Sequence, residues 1–364
     1  MTIQPVTLSL GLFPTEPPGR IIELVRLAEE LGYACAYVGD SQMIWREAYV
    51  ILGAAALATR RIKLAVGVTN PVTRDPAVIA AAWATLDELT DGRVLLGIGT
   101  GDSSLQTLGR KPATLARLEK AIALIRGLVA GTEVADGESG APIHLNYARR
   151  GTRVPAYVAV SSPRIHRLAG RIGDGAIVLV GTNAAYLAAS RREIEAGAAE
   201  CGRDLRADGF RIICWTPCSI QQDGAAARRA VKAHVARVLK RKLPSELDPR
   251  TMAVVNDIRQ RYAYYEHMVP GTPHGDLVPD ELVERFAIAG TPAEALQQLQ
   301  RLAATGLVDE IAIIPHAPDP REREAIIRSV GAMIRSIPGV DPHPEPSGSK
   351  PAREDIRGTA PGRG

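Results

Sequence analysis

The sequence predicts an α/β fold, a closed (β/α)8 TIM barrel with a helical insertion after strand 7, and three observations carry that reading. Eight short apolar or β-branched runs begin near Thr7, Ala34, Lys63, Val94, Ala156, Ala176, Arg211 and Glu310. Segments of helical period separate them, so each crossover returns the chain to the same edge of a parallel sheet. Punctuation agrees: Leu31-Gly32, Cys201-Gly202 and Thr305-Gly306 place glycine just past a helix, and Pro292 after Gly290-Thr291 suits a first helical turn.

Taken in order, the first run leads into Gly11-Leu12-Phe13. The second ends in Tyr37-Val38-Gly39-Asp40-Ser41, which puts the Asp40 carboxylate on the rim. The third ends in Thr69-Asn70-Pro71, where proline after Asn enforces an extended geometry. The fourth ends in Gly97-Ile98-Gly99-Thr100-Gly101-Asp102. Residues 132–150, with Asp136-Gly137-Glu138-Ser139-Gly140, read as an inserted loop or hairpin before the fifth strand. Ser161-Ser162-Pro163 opens the helix after strand five, and Gly181-Thr182 follows strand six. Residues 223–285 exceed a single crossover, carry a helical period from Ala225 to Leu239 and include Tyr262, Tyr264 and Tyr265. They are expected to cover one mouth of the barrel or to meet a second subunit. Residues 1–338 read as one domain, and 339–364, rich in Pro, Gly, Ser and charge, as a disordered tail.

With 364 residues, 46% of them hydrophobic, the chain can bury a large core. The net charge is +4, but Lys and Arg are scattered beside acids rather than gathered into a basic tract, so no nucleic-acid partner is expected. Cys35, Cys201, Cys214 and Cys218 show no C-x-x-C pair and no histidine at zinc spacing, which suits reduced thiols in a cytoplasmic protein. No basic-then-apolar leader and no run of about 18 apolar residues is present, so a soluble, unsecreted chain without a membrane partner is expected.

Parallel α/β folds place ligands at the carboxyl ends of their strands, where strands three and four here bring polar backbone together. A small-molecule cofactor site follows. Gly97, Gly99 and Gly101 would let a flat ring or its ribityl-like chain lie against the strand end. A dinucleotide fingerprint fails, because the third glycine of G-x-G-x-x-G would fall at Asp102 and the segment follows the fourth strand, not the first. Thr69 and Asn70 either bond the cofactor or belong to an ordinary loop before a helix capped by Asp75. Asp40 binds a cofactor hydroxyl, shuttles a proton, or caps the next helix. Ser161 and Ser162, near Arg164, His166 and Arg167, suit a phosphate or simple serine capping, and Gly181 and Thr182 offer a second set of amides. No H-E-x-x-H, no His-carboxylate cluster and no G-x-S-x-G elbow occurs, so no metal is expected and chemistry rests on a cofactor.

Ala84-Thr85-Leu86-Asp87-Glu88-Leu89-Thr90-Asp91-Gly92-Arg93, leading into LLGIGTGD, resembles the luciferase-like oxidoreductase superfamily, and Leu168 to Ala176 and Ala289 to Glu294 are similar to its later segments. The resemblance implies a (β/α)8 barrel that uses FMN or the deazaflavin coenzyme F420, and a homodimer. Gly67 to Arg74 is similar to the methylenetetrahydromethanopterin reductases and related F420 enzymes, where this strand end carries a cis peptide bulge under the ring. That likeness implies F420, with Val68 among its contacts, and leaves FMN as the alternative. Asp40 corresponds to the family's acidic residue after strand two, and Asp102 to the acidic residue after the glycines. Trp45 falls where F420-dependent sugar-phosphate dehydrogenases keep a tryptophan, but Ser41 replaces their catalytic histidine and Gly11-Leu12-Phe13 lacks the reductases' acidic residue. The implied reaction is hydride transfer between F420 and a small organic substrate, with Asp40 or Asp102 assisting a proton and Phe13 and Trp45 lining the substrate pocket. An FMN-dependent monooxygenase and a non-catalytic deazaflavin-binding barrel are the rivals.

Overall fold

Residues of the barrel strands alternate between two apolar environments, one inside the barrel and one beneath the surrounding helices. A computed structural model of the chain describes residues 6–135, 140–241 and 247–337. The barrel strands are β1 (Thr7–Leu12), β2 (Cys35–Val38), β3 (Lys63–Thr69), β4 (Val94–Ile98), β5 (Ala156–Val160), β6 (Gly175–Val178), β7 (Arg211–Ile220) and β8 (Glu310–Pro315). Each pairs in parallel with the next, and β8 closes on β1 through Thr7 opposite Glu310. The eight expected runs therefore form a closed barrel, each within a residue of its expected start.

Leu8, Leu10, Val38, Leu64, Val66 and Leu96 point outward into the helix-covered core. Tyr37, Ala65, Leu95, Tyr157, Ile177 and Trp215 fill the interior. Both faces are apolar because both are covered, which is why the strands read as continuous apolar runs rather than as an alternation. At the amino-terminal end of the interior, the Tyr37 hydroxyl donates to Glu310 Oε1 at 2.8 Å, and Arg211 donates to Thr7 Oγ1 at 2.8 Å.

Near its carboxyl end β3 shifts register against β4 between Val66 and Thr69, and the Gly67–Val68 peptide is cis. Gly97 stands opposite: a Cβ there would lie 2.1 Å from the Val66 carbonyl oxygen. Asp75 caps the helix Pro76–Thr90 by accepting from the Ala77 amide.

Val134–Ala135 pairs antiparallel with Pro142–Ile143 before β5. After β7 come the helices Gly224–Leu239, Pro249–Arg261, Pro273–Asp276 and Asp280–Phe286, then a short strand, Ile288–Gly290, that adds to the upper end of β7. Asp223 caps the first of these helices through the Ala225 amide. Its positions 234 and 237, with 241 just beyond its end, recur at helical spacing and share one side, which faces the barrel mouth. The expected tail, 339–364, lies outside the described residues. Among the described residues no helix is long and apolar enough to cross a membrane.

Candidate active site

A cleft opens at the carboxyl ends of the strands. Its floor is apolar: Val68, Ala159, Ile177, Leu179 and Trp215. Small residues make room for the indole, since a Cβ at Gly67 would come within 2.7 Å of Trp215 Cη2 and one at Gly11 within 3.2 Å. The indole Nε1 is buried and has no hydrogen-bond partner among the described residues. One wall is an aromatic stack of Phe13 on Trp45, with centroids 4.4 Å apart and planes 16° from parallel. His267, from the insertion, stands beyond Trp45 at 5.9 Å.

Asp40 reaches the rim as expected, but its carboxylate is engaged. Arg74 Nε lies 3.1 Å from Oδ2 and Nη2 lies 3.1 Å from Oδ1. Arg74 also donates to Glu47 and lies 4.1 Å above the Tyr49 ring. Burial alone would lower the pKa of this guanidinium, yet Asp40 and Glu47 carry it above the ordinary arginine value. The next helix, Ala48–Ala58, is capped by Glu47 rather than by Asp40.

Asp102 sits in a cage of cations from the insertion. Arg241 Nη2 donates to Oδ2, Lys240 Nζ lies 3.5 Å from Oδ1, and Arg237 Nε lies 4.0 Å from Oδ2. Burial would raise its pKa, but Arg241, Lys240 and Arg237 together hold it far below the usual carboxylate range. A carboxyl group so held carries no proton to give at neutral pH.

Of the other expected residues, Val68, Gly99, Gly101 and Ser161 line the cleft with Phe13, Trp45, Asp40 and Asp102. Asn70 does not. Its Oδ1 accepts from the Val72 and Thr73 amides at 3.0 and 2.9 Å, and its Nδ2 donates to Thr73 Oγ1 and Ser104 Oγ at 3.0 and 3.1 Å. The amide group is thus saturated by the protein, and Asn70 ties the β3 loop to the short helix Ser103–Gln106. Thr69 is fully buried beneath it. Gly97 admits the β3 bulge rather than a ligand. Ser162 precedes the helix Pro163–Ile172 without a side-chain capping bond, and Arg167 turns away to Glu193 at 2.6 Å. Gly181 and Thr182 are covered by the insertion: a Cβ at Gly181 would lie 2.2 Å from the Phe286 carbonyl oxygen, and the Thr182 hydroxyl donates to the Arg285 carbonyl at 3.4 Å. No second set of rim amides is therefore open there.

Sequence reasoning missed Trp215, Arg237, Arg241 and His267. The helical spacing of His234, Arg237 and Arg241 was the available signal for two of them. An apolar floor with polar groups at one end and an unpartnered indole donor fits a planar ring with polar edges, so the residues present suit a flavin-like coenzyme.

A closed parallel barrel with its cleft at the carboxyl-terminal rim defines a (β/α)8 barrel protein whose site lies where such barrels carry theirs. The chain belongs to the luciferase-like monooxygenase family, whose sequence profile matches residues 3–309. It is 31% identical over 318 residues to the 5,10-methylenetetrahydromethanopterin reductase of Archaeoglobus fulgidus, covering 83% of this chain and 92% of that protein. An F420-dependent glucose-6-phosphate dehydrogenase of Beutenbergia cavernae is 40% identical over 179 residues, covering 45% of this chain and 53% of that one. The fold matches that of the coenzyme F420 dependent tetrahydromethanopterin reductase of Methanopyrus kandleri, with a TM-score of 0.73 at 24% identity and coverage of 91% and 99%.

Proposed function

We propose that this protein is a coenzyme F420-dependent oxidoreductase acting on a small organic substrate. The observation that carries this is the rim cleft, with its apolar floor and unpartnered Trp215 Nε1, in a chain 31% identical to a 5,10-methylenetetrahydromethanopterin reductase along most of its length. When bound, F420 supplies hydride chemistry at its deazaflavin ring. Val68, Ala159 and Ile177 would support the ring, Gly99 would leave the strand end clear for it, and Phe13 with Trp45 would close the side of the cleft against water. Asp40 and Asp102 act as fixed anions that set the positions of Arg74 and of the Arg237–Arg241 segment. His267, whose Nδ1 is engaged by the Tyr262 hydroxyl at 2.5 Å, presents its ring to the cleft as a hydrogen-bonding group for the substrate. Burial, then the charge of Arg237, holds this imidazole well below the ordinary histidine value, so it is uncharged at pH 7.

Fluorescence titration with F420 and with FMN tests the reading. Saturable F420 binding that Gly99→Val abolishes, with the variant's folding intact by circular dichroism, is the expected result. Binding of FMN alone, with oxygen consumption on reduction, would replace it with the monooxygenase reading, and binding of neither would overturn both.

A further inference from the structure

The cleft carries more positive charge than its own residues neutralise. Arg237, Lys240 and Arg241 gather around Asp102, so three cations face one carboxylate. Lys240 is otherwise occupied: its Nζ donates to the Tyr264 hydroxyl at 2.9 Å and lies 4.4 and 4.2 Å over the Tyr262 and Tyr264 rings. The two guanidinium groups are not. Both line the cleft, and the Nε of each is buried without an acceptor among the described residues. Beyond Asp102, the contact of Arg237 is a long one, Nη1 to His234 Nε2 at 3.5 Å. The carboxyl end of the helix Gly224–Leu239 favours cations nearby, but a helix dipole provides no acceptor for these N–H groups. Burial and then the charge of Arg241 pull Arg237 down to about 10, as expected where positive charge is crowded and undercompensated.

We propose that Arg237 and Arg241 form an anion-binding site that takes a phosphate or carboxylate group of the molecule held in the cleft. The guanidinium fork matches an oxyanion with paired N–H donors, and two of them at one end of an apolar slot orient a ligand with one charged end. Asp102 keeps the pair together without cancelling it. The inference rests on the coenzyme reading only for what occupies the floor: the anion is either the substrate's or part of the coenzyme's side chain, and the chemistry of recognition is the same.

Inorganic phosphate is the probe. At constant ionic strength set with sodium chloride, phosphate is expected to quench tryptophan fluorescence saturably and to raise the melting temperature of the wild-type protein. Arg237→Gln and Arg241→Gln should each weaken the phosphate response at least tenfold, whereas Arg328→Gln, the same charge change at an exposed pair with Glu324, should leave it intact. Because Arg237→Gln removes an undercompensated buried cation, the melting temperature of the variant without phosphate should not fall, which separates lost binding from lost folding. The titration is then repeated with F420 saturating. Undiminished phosphate binding assigns the anion to the substrate, and competition assigns it to the coenzyme. Absence of a saturable wild-type response, or unchanged affinity in both variants, overturns the proposal. A protein that binds phosphate through these arginines but not F420 would retain the anion site and lose the coenzyme reading.

Discussion

The Phe13 ring lies against Trp45 at 4.4 Å, and the backbone of Gly39 runs directly behind both, so that a Cβ at Gly39 would come within 2.6 Å of Phe13 Cδ1 and 3.0 Å of Trp45 Cζ3. The glycine after β2 thus shapes the wall although it does not itself line the cleft. Gly39→Ala is expected to push the stack apart, costing about 1–3 kcal/mol in urea unfolding as overpacking does. Coenzyme affinity should drop with it. Trp45→Ala empties a buried position stacked on Phe13, so it should lower coenzyme affinity too and cost more stability, about 3–5 kcal/mol. Equal unfolding midpoints for Gly39→Ala and wild type would refute the contact.

Asp40 and Arg74 make a bidentate pair, with side chains 3% and 22% exposed. Asp40→Asn leaves a largely buried guanidinium with only Glu47 for an anionic partner. A loss of about 1–3 kcal/mol is expected, since removing one member of a buried pair exposes the other's desolvation cost. Asp40→Asn combined with Arg74→Gln should lose less than Asp40→Asn alone, because neither charge is then stranded. Additive losses in this double-mutant cycle would show that the two residues do not couple.

Much of the fold was legible because local chemistry and tertiary demand coincide in it. The eight runs show in the sequence because strands covered on both faces have few polar positions, and the helix boundaries show because Asp75, Thr291 and Asp223 cap where such residues cap best. The rim residues Asp40, Gly99 and Asp102 follow from the rule that parallel strands present ligands at their carboxyl ends. What was not legible depends on long-range approach. Nothing near Gly181 announces that Phe286, more than a hundred residues later, will lie on it. Asn70 reads equally well as a ligand or as an internal brace until Ser104 is seen beside it. Arg237 and Arg241 look like a solvated helix face, because only the folding-over of the insertion turns that side toward Asp102.

Two glycines in different settings separate space from propensity. At Gly97 a Cβ meets backbone, the Val66 carbonyl oxygen at 2.1 Å, which cannot rotate away. Gly97→Ala is therefore expected to disrupt the β3 bulge, destabilise by more than about 3 kcal/mol and abolish coenzyme binding. Gly53, inside the helix Ala48–Ala58, has nothing within 4 Å of the position a Cβ would take. Gly53→Ala should stabilise by about 1 kcal/mol through helix propensity alone. Chemical denaturation of both variants checks the pair, and a neutral Gly97→Ala would remove the steric account of the bulge.

His234 Nδ1 lies 2.8 Å from His316 Nε2, both rings are buried, and the short contact holds only one proton between them. Burial first, and then the nearby charges of Arg323 and Arg237, push His316 down to about 3. Burial and the His316 neighbour likewise hold His234 well below the ordinary histidine value. An unfolded histidine takes up its proton near 6.5. Between pH 6.5 and about 3 the unfolded chain therefore binds more protons at His316 than the folded one. The stability this neutral imidazole contributes is complete above pH 6.5 and is lost as pH falls through that window, at up to about 1.4 kcal/mol per pH unit. His316→Gln cannot take up the proton in either state. Its urea-unfolding free energy should fall less steeply than wild type between pH 6 and pH 4, by about one proton's slope, while carboxylate contributions common to both proteins cancel in the difference. Parallel pH curves for wild type and variant would mean that His316 is charged in the folded protein and that the buried pair is not neutral.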